Sequence, residues 1–131
     1  MSVIIDTNVI SDVIHADPKW LSWSTQQIAS HFGQLVINPI IFGELCCRAG
    51  SVKELETILE PFDLKYQELP KEALFLASQA FLKYRKRGGT KSAPLPDFFI
   101  GAHAEALGLP ILTRDTARFG TYFERVQLIT P

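Results

Sequence analysis

Four carboxylates in this sequence stand where they could act together. Asp6 directly follows the β-branched run "SVII", and Asp115 closes "ILTRD", just past another apolar run. Asp97 follows Pro96 and opens "DFFIGAHAEALG". Glu44 lies among Ile40, Ile41, Leu45, Cys46 and Cys47, an odd setting for a surface glutamate. Each acid has an ordinary explanation by itself. Proline suits the first helical position and an acid just after it suits the positive end of a helix, so Asp97 alone says little. Asp6 alone is a turn-forming aspartate before a helix, and Glu44 alone an exposed helix acid. Asp115 is placed to cap a short helix from Thr116 and can do both jobs. Gathered together, four negative charges repel and raise each other's pKa, which a bound hard cation relieves. Oxygen-only ligands without His or Cys favour Mg²⁺ or Mn²⁺ over zinc. Such a site suits metal-assisted phosphoryl hydrolysis, in which the metal activates a water and stabilises the leaving oxygen.

Whether the acids meet depends on the elements that carry them. Short apolar runs predict strands at Ser2–Ile5, Leu35–Asn38, Leu64–Leu69, Pro110–Thr113 and Val126–Thr130. Helical patterns fill the gaps. Val9, Ile10, Val13 and Ile14 form one face after Thr7, a candidate N-cap. Further helices are expected over Lys19–His31, Pro39–Arg48, Val52–Leu59, Lys71–Lys86 and Asp97–Leu107, with a short one over Thr116–Phe119. The alternation predicts a single α/β domain over residues 1–131, with a mainly parallel five-stranded sheet flanked by helices. Ligands bind such sheets beyond the carboxyl ends of the strands, where strand order reverses. Asp6 and Asp115 follow strand ends. A helix preceding a parallel strand runs antiparallel to it, so Asp97 begins at the same edge, as does the helix holding Glu44. All four acids can therefore reach one edge.

The 131 residues suffice for one sizeable core, and nearly half are hydrophobic. A net charge of −1 gives no global basic field, so a nucleic-acid partner must be met by a local patch. The opening "MSVIID" enters a strand pattern without a signal segment, no apolar run approaches a membrane span, and two adjacent cysteines make no disulfide framework. These features point to a cytoplasmic, reducing compartment.

The local patch is "KYRKRGGTK", Lys83 to Lys91, with Arg85, Lys86 and Arg87 at its centre, just upstream of Asp97. Its two readings are contact with nucleic-acid phosphates and a cationic helix end followed by a flexible loop, the second being the default for a charge run. Arg114 could meet a substrate phosphate or pair with a nearby acid. His103 lies about 240° round the helix from Asp97 and faces elsewhere. None of the three histidines reads as a metal ligand. Cys46 and Cys47 read as small buried apolar residues, and Trp20, Trp23, Phe98, Phe99, Phe119 and Tyr122 as core or dimer surface.

"IIDTNVISDVI", Glu44, "PDFFIGAHA" and "ILTRDTARF", in this order and at these separations, resemble the PIN domain, and more narrowly the VapC-type toxins of toxin–antitoxin pairs. "DTN" alone is weak; the ordered set, spanning Val3 to Pro131, is specific. The resemblance implies a PIN-like fold and a Mg²⁺- or Mn²⁺-dependent endoribonuclease that leaves a 5′-phosphate and a 3′-hydroxyl. It implies Asp6 and Asp97 as main metal ligands, Asp115 on a metal or its water, and Glu44 acting through a water or on a second metal. Asn8 and Thr113 would orient carboxylates and waters. It further implies a homodimer and a cognate antitoxin that wraps the toxin and blocks the site. The alternative is a non-catalytic module whose acidic crevice docks a basic antitoxin peptide. Receiver and haloacid-dehalogenase-like domains are disfavoured: no acidic pair precedes the first helix, and position 8 is Asn, so there is no D-x-D motif.

Overall fold

A computed structural model describes residues 1–92, 95–117 and 119–131. The chain runs β1 (Val3–Ile5), α1 (Thr7–Ile14), α2 (Leu21–Ser30), β2 (Leu35–Ile37), α3 (Pro39–Cys46) and α4 (Val52–Leu59). A 3-10 turn (Glu60–Phe62), β3 (Lys65–Tyr66), α5 (Lys71–Lys86), α6 (Pro96–Leu107), β4 (Ile111–Leu112) and β5 (Leu128–Ile129) follow. The five strands form one sheet, ordered β3-β2-β1-β4-β5, in which every pair is parallel. The sheet is therefore wholly, rather than mainly, parallel. Strand order reverses at β1, between β2 on one side and β4 on the other.

Burial explains the short apolar strands. Every residue of β1, β2 and β4 is buried, as expected for parallel strands covered on both faces. The main core joins these strands to Val9 and Ile10 of α1, Ile41 and Leu45 of α3, Leu55 and Leu59 of α4, and Ile100 of α6. A second core packs Ala73, Ala77 and Ala80 of α5 against Phe98 and Ala102 of α6 and Phe123. The alanines let the two helices approach closely. Beyond α6, Gly108 takes a left-handed φ of 65° and the Leu109 N–H closes on the Ala104 carbonyl at 2.9 Å. That motif suits glycine and turns the chain straight into β4. Among the described residues no helix is long and apolar enough to cross a membrane.

Several boundaries differ from the sequence pattern. Asp6, not Thr7, caps α1, its carboxylate accepting the Thr7 N–H. The second helix starts at Leu21 because Asp17 Oδ1 accepts the N–H groups of Lys19 and Trp20 and holds them in a turn. β3 keeps only Lys65 and Tyr66, both exposed at the edge of the sheet. The described residues between Thr116 and Phe119 form bends and turns rather than a helix. Cys46 is half-buried and Cys47 exposed, so the pair is not the buried apolar unit its setting suggested.

Candidate functional site

The β1–β4 pairing builds the centre of the carboxyl edge. Ile5 lies beside Leu112, and the ladder continues with the Asp6 N–H donating to the Leu112 carbonyl at 2.9 Å. Asp6 and Thr113 therefore leave adjacent strands side by side, and both are fully buried. Burying a carboxylate is tolerated only where donors replace its water. Asp6 Oδ1 accepts the Thr7 N–H at 2.8 Å and Oδ2 accepts the Thr113 hydroxyl at 2.8 Å.

Thr113 ties further residues into the edge. Its Oγ1 accepts the Asp115 backbone N–H at 3.1 Å and an Asn8 Nδ2–H at 3.5 Å. Asp115 Oδ1 accepts the Ala117 N–H, so it shapes a turn in place of the helix cap expected there. On the other side the Thr7 hydroxyl donates to Glu44 Oε1 at 2.7 Å. Glu44 is thus drawn inward from α3 and is half-buried. A short network now joins Glu44, Thr7, Asp6, Thr113, Asn8 and Asp115. Asp97, also half-buried, stands in the first turn of α6. Only three residues separate α6 from β4, so the carboxyl end of α6 meets the start of β4 and Asp97 lies toward the opposite edge, with the others.

The basic segment is linked to the start of α6 through aromatic rings. Arg87 sits over the Tyr122 ring at 5.3 Å, Tyr122 packs edge-on against Phe98 at 5.4 Å, and Phe98 directly follows Asp97. Arg85, Lys86 and Arg87 are all exposed. The loop after α5 folds back on the helix: the Tyr84 hydroxyl accepts the N–H groups of Thr90 and Lys91, and Arg85 donates to the Lys91 carbonyl. The Lys91 N–H chiefly lowers the Tyr84 pKa. A side chain at Gly89 would strike the Tyr84 ring, 2.3 Å from its Cβ, and would push that ring aside.

Residues 3–126 match the PIN domain family model. The chain belongs to the PIN domain family. No curated protein matches it. Solved structures of similar fold include VapBC from Salmonella typhimurium bound to DNA, at 17% identity and a TM-score of 0.75, over 99% of this chain and 98% of that one. A toxin–antitoxin complex from Klebsiella pneumoniae gives 21% identity and 0.72 over the same shares. FitAcB from Neisseria gonorrhoeae gives 22% and 0.68, over 98% and 97%. At such identities the likeness is one of fold.

PIN nucleases generally use divalent metals, and this PIN domain's donor set fits one in kind. The four acids offer only oxygen, as Mg²⁺ and Mn²⁺ prefer. Asn8 Oδ1 is buried beside Thr113 and has no hydrogen-bond partner among the described residues, an acceptor suited to a metal-bound water. The side chains do not form a closed cage: among the described residues no group of three acid, histidine or cysteine side chains converges closely enough to hold an ion.

Arg114, expected to meet either a phosphate or an acid, pairs with an acid, and His103 has a partner that its spacing did not suggest. Asp12, on the inner face of α1, is buried at 3% exposure and pairs with Arg114 Nε at 2.9 Å. The Ser24 hydroxyl donates to the same carboxylate at 2.8 Å. Asp12 lies about 60° round the helix from Val9, outside the arc from Val9 to Ile14, so the apolar spacing gave no sign of its burial; once buried, an acid requires a partner. His103 is also fully buried, with Nδ1 3.0 Å from Asn38 Nδ2. Asn38 Oδ1 already caps α3 by accepting the Ile41 N–H. Its amide must therefore donate to His103, which leaves the imidazole neutral with its proton on Nε2. Burial lowers the His103 pKa in the same sense.

Proposed function

We propose that this PIN domain is a Mg²⁺- or Mn²⁺-dependent endoribonuclease, the toxin of a type II toxin–antitoxin pair, working in the cytoplasm as a homodimer held silent by a cognate antitoxin. The observation that carries the reading is the hydrogen-bonded network at the strand-order reversal, which joins Asp6, Glu44 and the backbone of Asp115 through Thr7 and Thr113. The antitoxin partner rests on the complexes in which chains of similar fold were solved.

Asp6 and Asp97 would be the principal metal ligands, with Asp115 and Glu44 holding a second metal or its waters. When bound, the metal supplies Lewis acidity at a phosphate oxygen and a more acidic water. Thr113 fixes Asp6 Oδ2, Thr7 fixes Glu44, and Asn8 Oδ1 accepts a hydrogen bond from the attacking water. A water held there would attack phosphorus as the bond to the 3′-oxygen breaks; its oxygen would stay on phosphorus and one of its protons would end on the leaving 3′-oxygen, giving a 5′-phosphate and a 3′-hydroxyl. The exposed Arg85, Lys86 and Arg87 would hold the backbone upstream, and Arg114 a phosphate nearer the acids.

The test is cleavage of a total small-RNA pool by purified, antitoxin-free protein with Mg²⁺ or EDTA, beside Asp97→Asn. Discrete fragments that require both Mg²⁺ and Asp97 are expected. Folded protein that cuts nothing would instead favour the docking module, and cleavage surviving in Asp97→Asn would remove these acids from the chemistry.

A further inference from the structure

Arg114 is held in an unusual way. Both Asp12 oxygens approach a single nitrogen, Nε, at 2.9 and 3.2 Å. Ser24 fixes that carboxylate from behind, and the guanidinium lies 5.7 Å from the Trp20 ring centre. Among the described residues neither terminal nitrogen of Arg114 makes a hydrogen bond, and 31% of the side chain remains exposed. The inner edge and one face of the fork are therefore fixed, while the amino groups stay available. Arg114 also sits between Thr113, which donates to Asp6, and Asp115. A guanidinium immobilised this way matches phosphate oxygens without first losing rotamer freedom.

We infer that Asp12 is a positioning residue, which anchors Arg114 through Nε so that its two amino groups grip a backbone phosphate of the RNA at the acidic edge. This rests on the ribonuclease reading above. A pair serving only the fold would explain the buried Asp12 but gives no role to the uncommitted outer edge.

A double-mutant cycle on the full chain decides between them. Asp12→Asn, Arg114→Gln and the combined variant are compared with the parent protein for binding a labelled single-stranded RNA of mixed sequence. Binding is measured in EDTA, so that no cleavage intervenes, over a series of salt concentrations, with thermal melts alongside. Arg114→Gln is expected to weaken binding about tenfold and to lower the salt slope by about 0.7, the value of one neutralised phosphate on a single strand. Asp12→Asn should weaken binding several-fold in the parent and not at all once Arg114 is gone. If Arg114→Gln fails to fold, because it leaves Asp12 buried without its cation, the combined variant against Asp12→Asn reads the same slope. Equal slopes in the presence and absence of Arg114 would overturn the phosphate grip. Additive losses would reduce Asp12 to a fold-stabilising role. A parent protein that binds no RNA would remove the ribonuclease reading itself, and this inference with it.

Discussion

At the scale of single residues, Thr113 does the most with one atom. Its hydroxyl donates to Asp6 Oδ2 and accepts N–H groups from Asp115 and Asn8. Thr113→Val keeps the shape and removes all three links. Withdrawing a buried hydrogen-bond partner costs about 1–3 kcal/mol, and loosening the support of a metal-ligating carboxylate costs about 10–100-fold in metal affinity or activity. Thr113→Val should therefore lower the melting temperature and depress RNA cleavage, while Thr113→Ser, which retains the hydroxyl, should restore both. A Val variant with full cleavage would separate Thr113 from the site. The same scale marks where the sequence pattern misread the chain. Both Asp6 and Thr7 are good N-caps, and spacing cannot choose between them. The choice follows from Glu44, 37 positions away, which takes the Thr7 hydroxyl and leaves Asp6 as cap. Which acid Arg114 pairs with was hidden for a similar reason: α1 and the loop after β4 are neighbours only once β1 and β4 pair.

At the scale of elements, α3 and α6 are joined through the Asn38–His103 bond, and that bond has a protonation state. His103 is neutral and buried, with its folded pKa lowered by desolvation. The unfolded state takes up a proton near pH 6.5, whereas the folded state does so only at lower pH. Stability from this group is thus fully present above about pH 6.5 and declines as pH falls from there toward the folded pKa. Thermal melts of the protein between neutral and mildly acidic pH should show that decline. His103→Gln should show a smaller one, and equal declines in the two proteins would exclude His103 as its source. The end of α5 carries a separate prediction. Arg85 and Lys86 end α5 and Arg87 caps it, and Arg87 is connected to α6 through Tyr122 and Phe98, so the cluster is not on a detached tail. Replacing all three by Gln should weaken RNA cleavage and reduce its dependence on salt by roughly 0.7 logarithmic units for each phosphate that these side chains neutralise. Unchanged cleavage across salt concentrations would assign the cluster to solvent. The cluster itself was visible in the sequence. Its link to Phe98 of α6 was not, because it runs through the Tyr122 ring from a distant segment.

At the scale of the whole molecule, the strand order explains why so much could be read in advance. Alternating short apolar runs and amphipathic helices imply a parallel sheet, and a parallel sheet places its strand-following acids at one edge. Asp6, Asp115 and the helix carrying Glu44 were legible on that ground alone, and the observed β3-β2-β1-β4-β5 order brings the first two onto neighbouring strands. What remains is whether the edge binds metal. Charge gathered there by the fold should make metal binding and folding one linked equilibrium, since an ion that prefers the folded state stabilises it by mass action. At a hundredfold excess over its dissociation constant the gain is about 2.7 kcal/mol, roughly 10 °C in melting temperature for a domain of this size. Mn²⁺ or Mg²⁺ should therefore raise the melting temperature of the purified protein, EDTA should reverse the rise, and Asp97→Asn should abolish most of it. This readout requires no RNA and no turnover. A rise that persists in Asp97→Asn would put the ion elsewhere, and no rise at saturating metal would leave the acids without the cation that their chemistry requires.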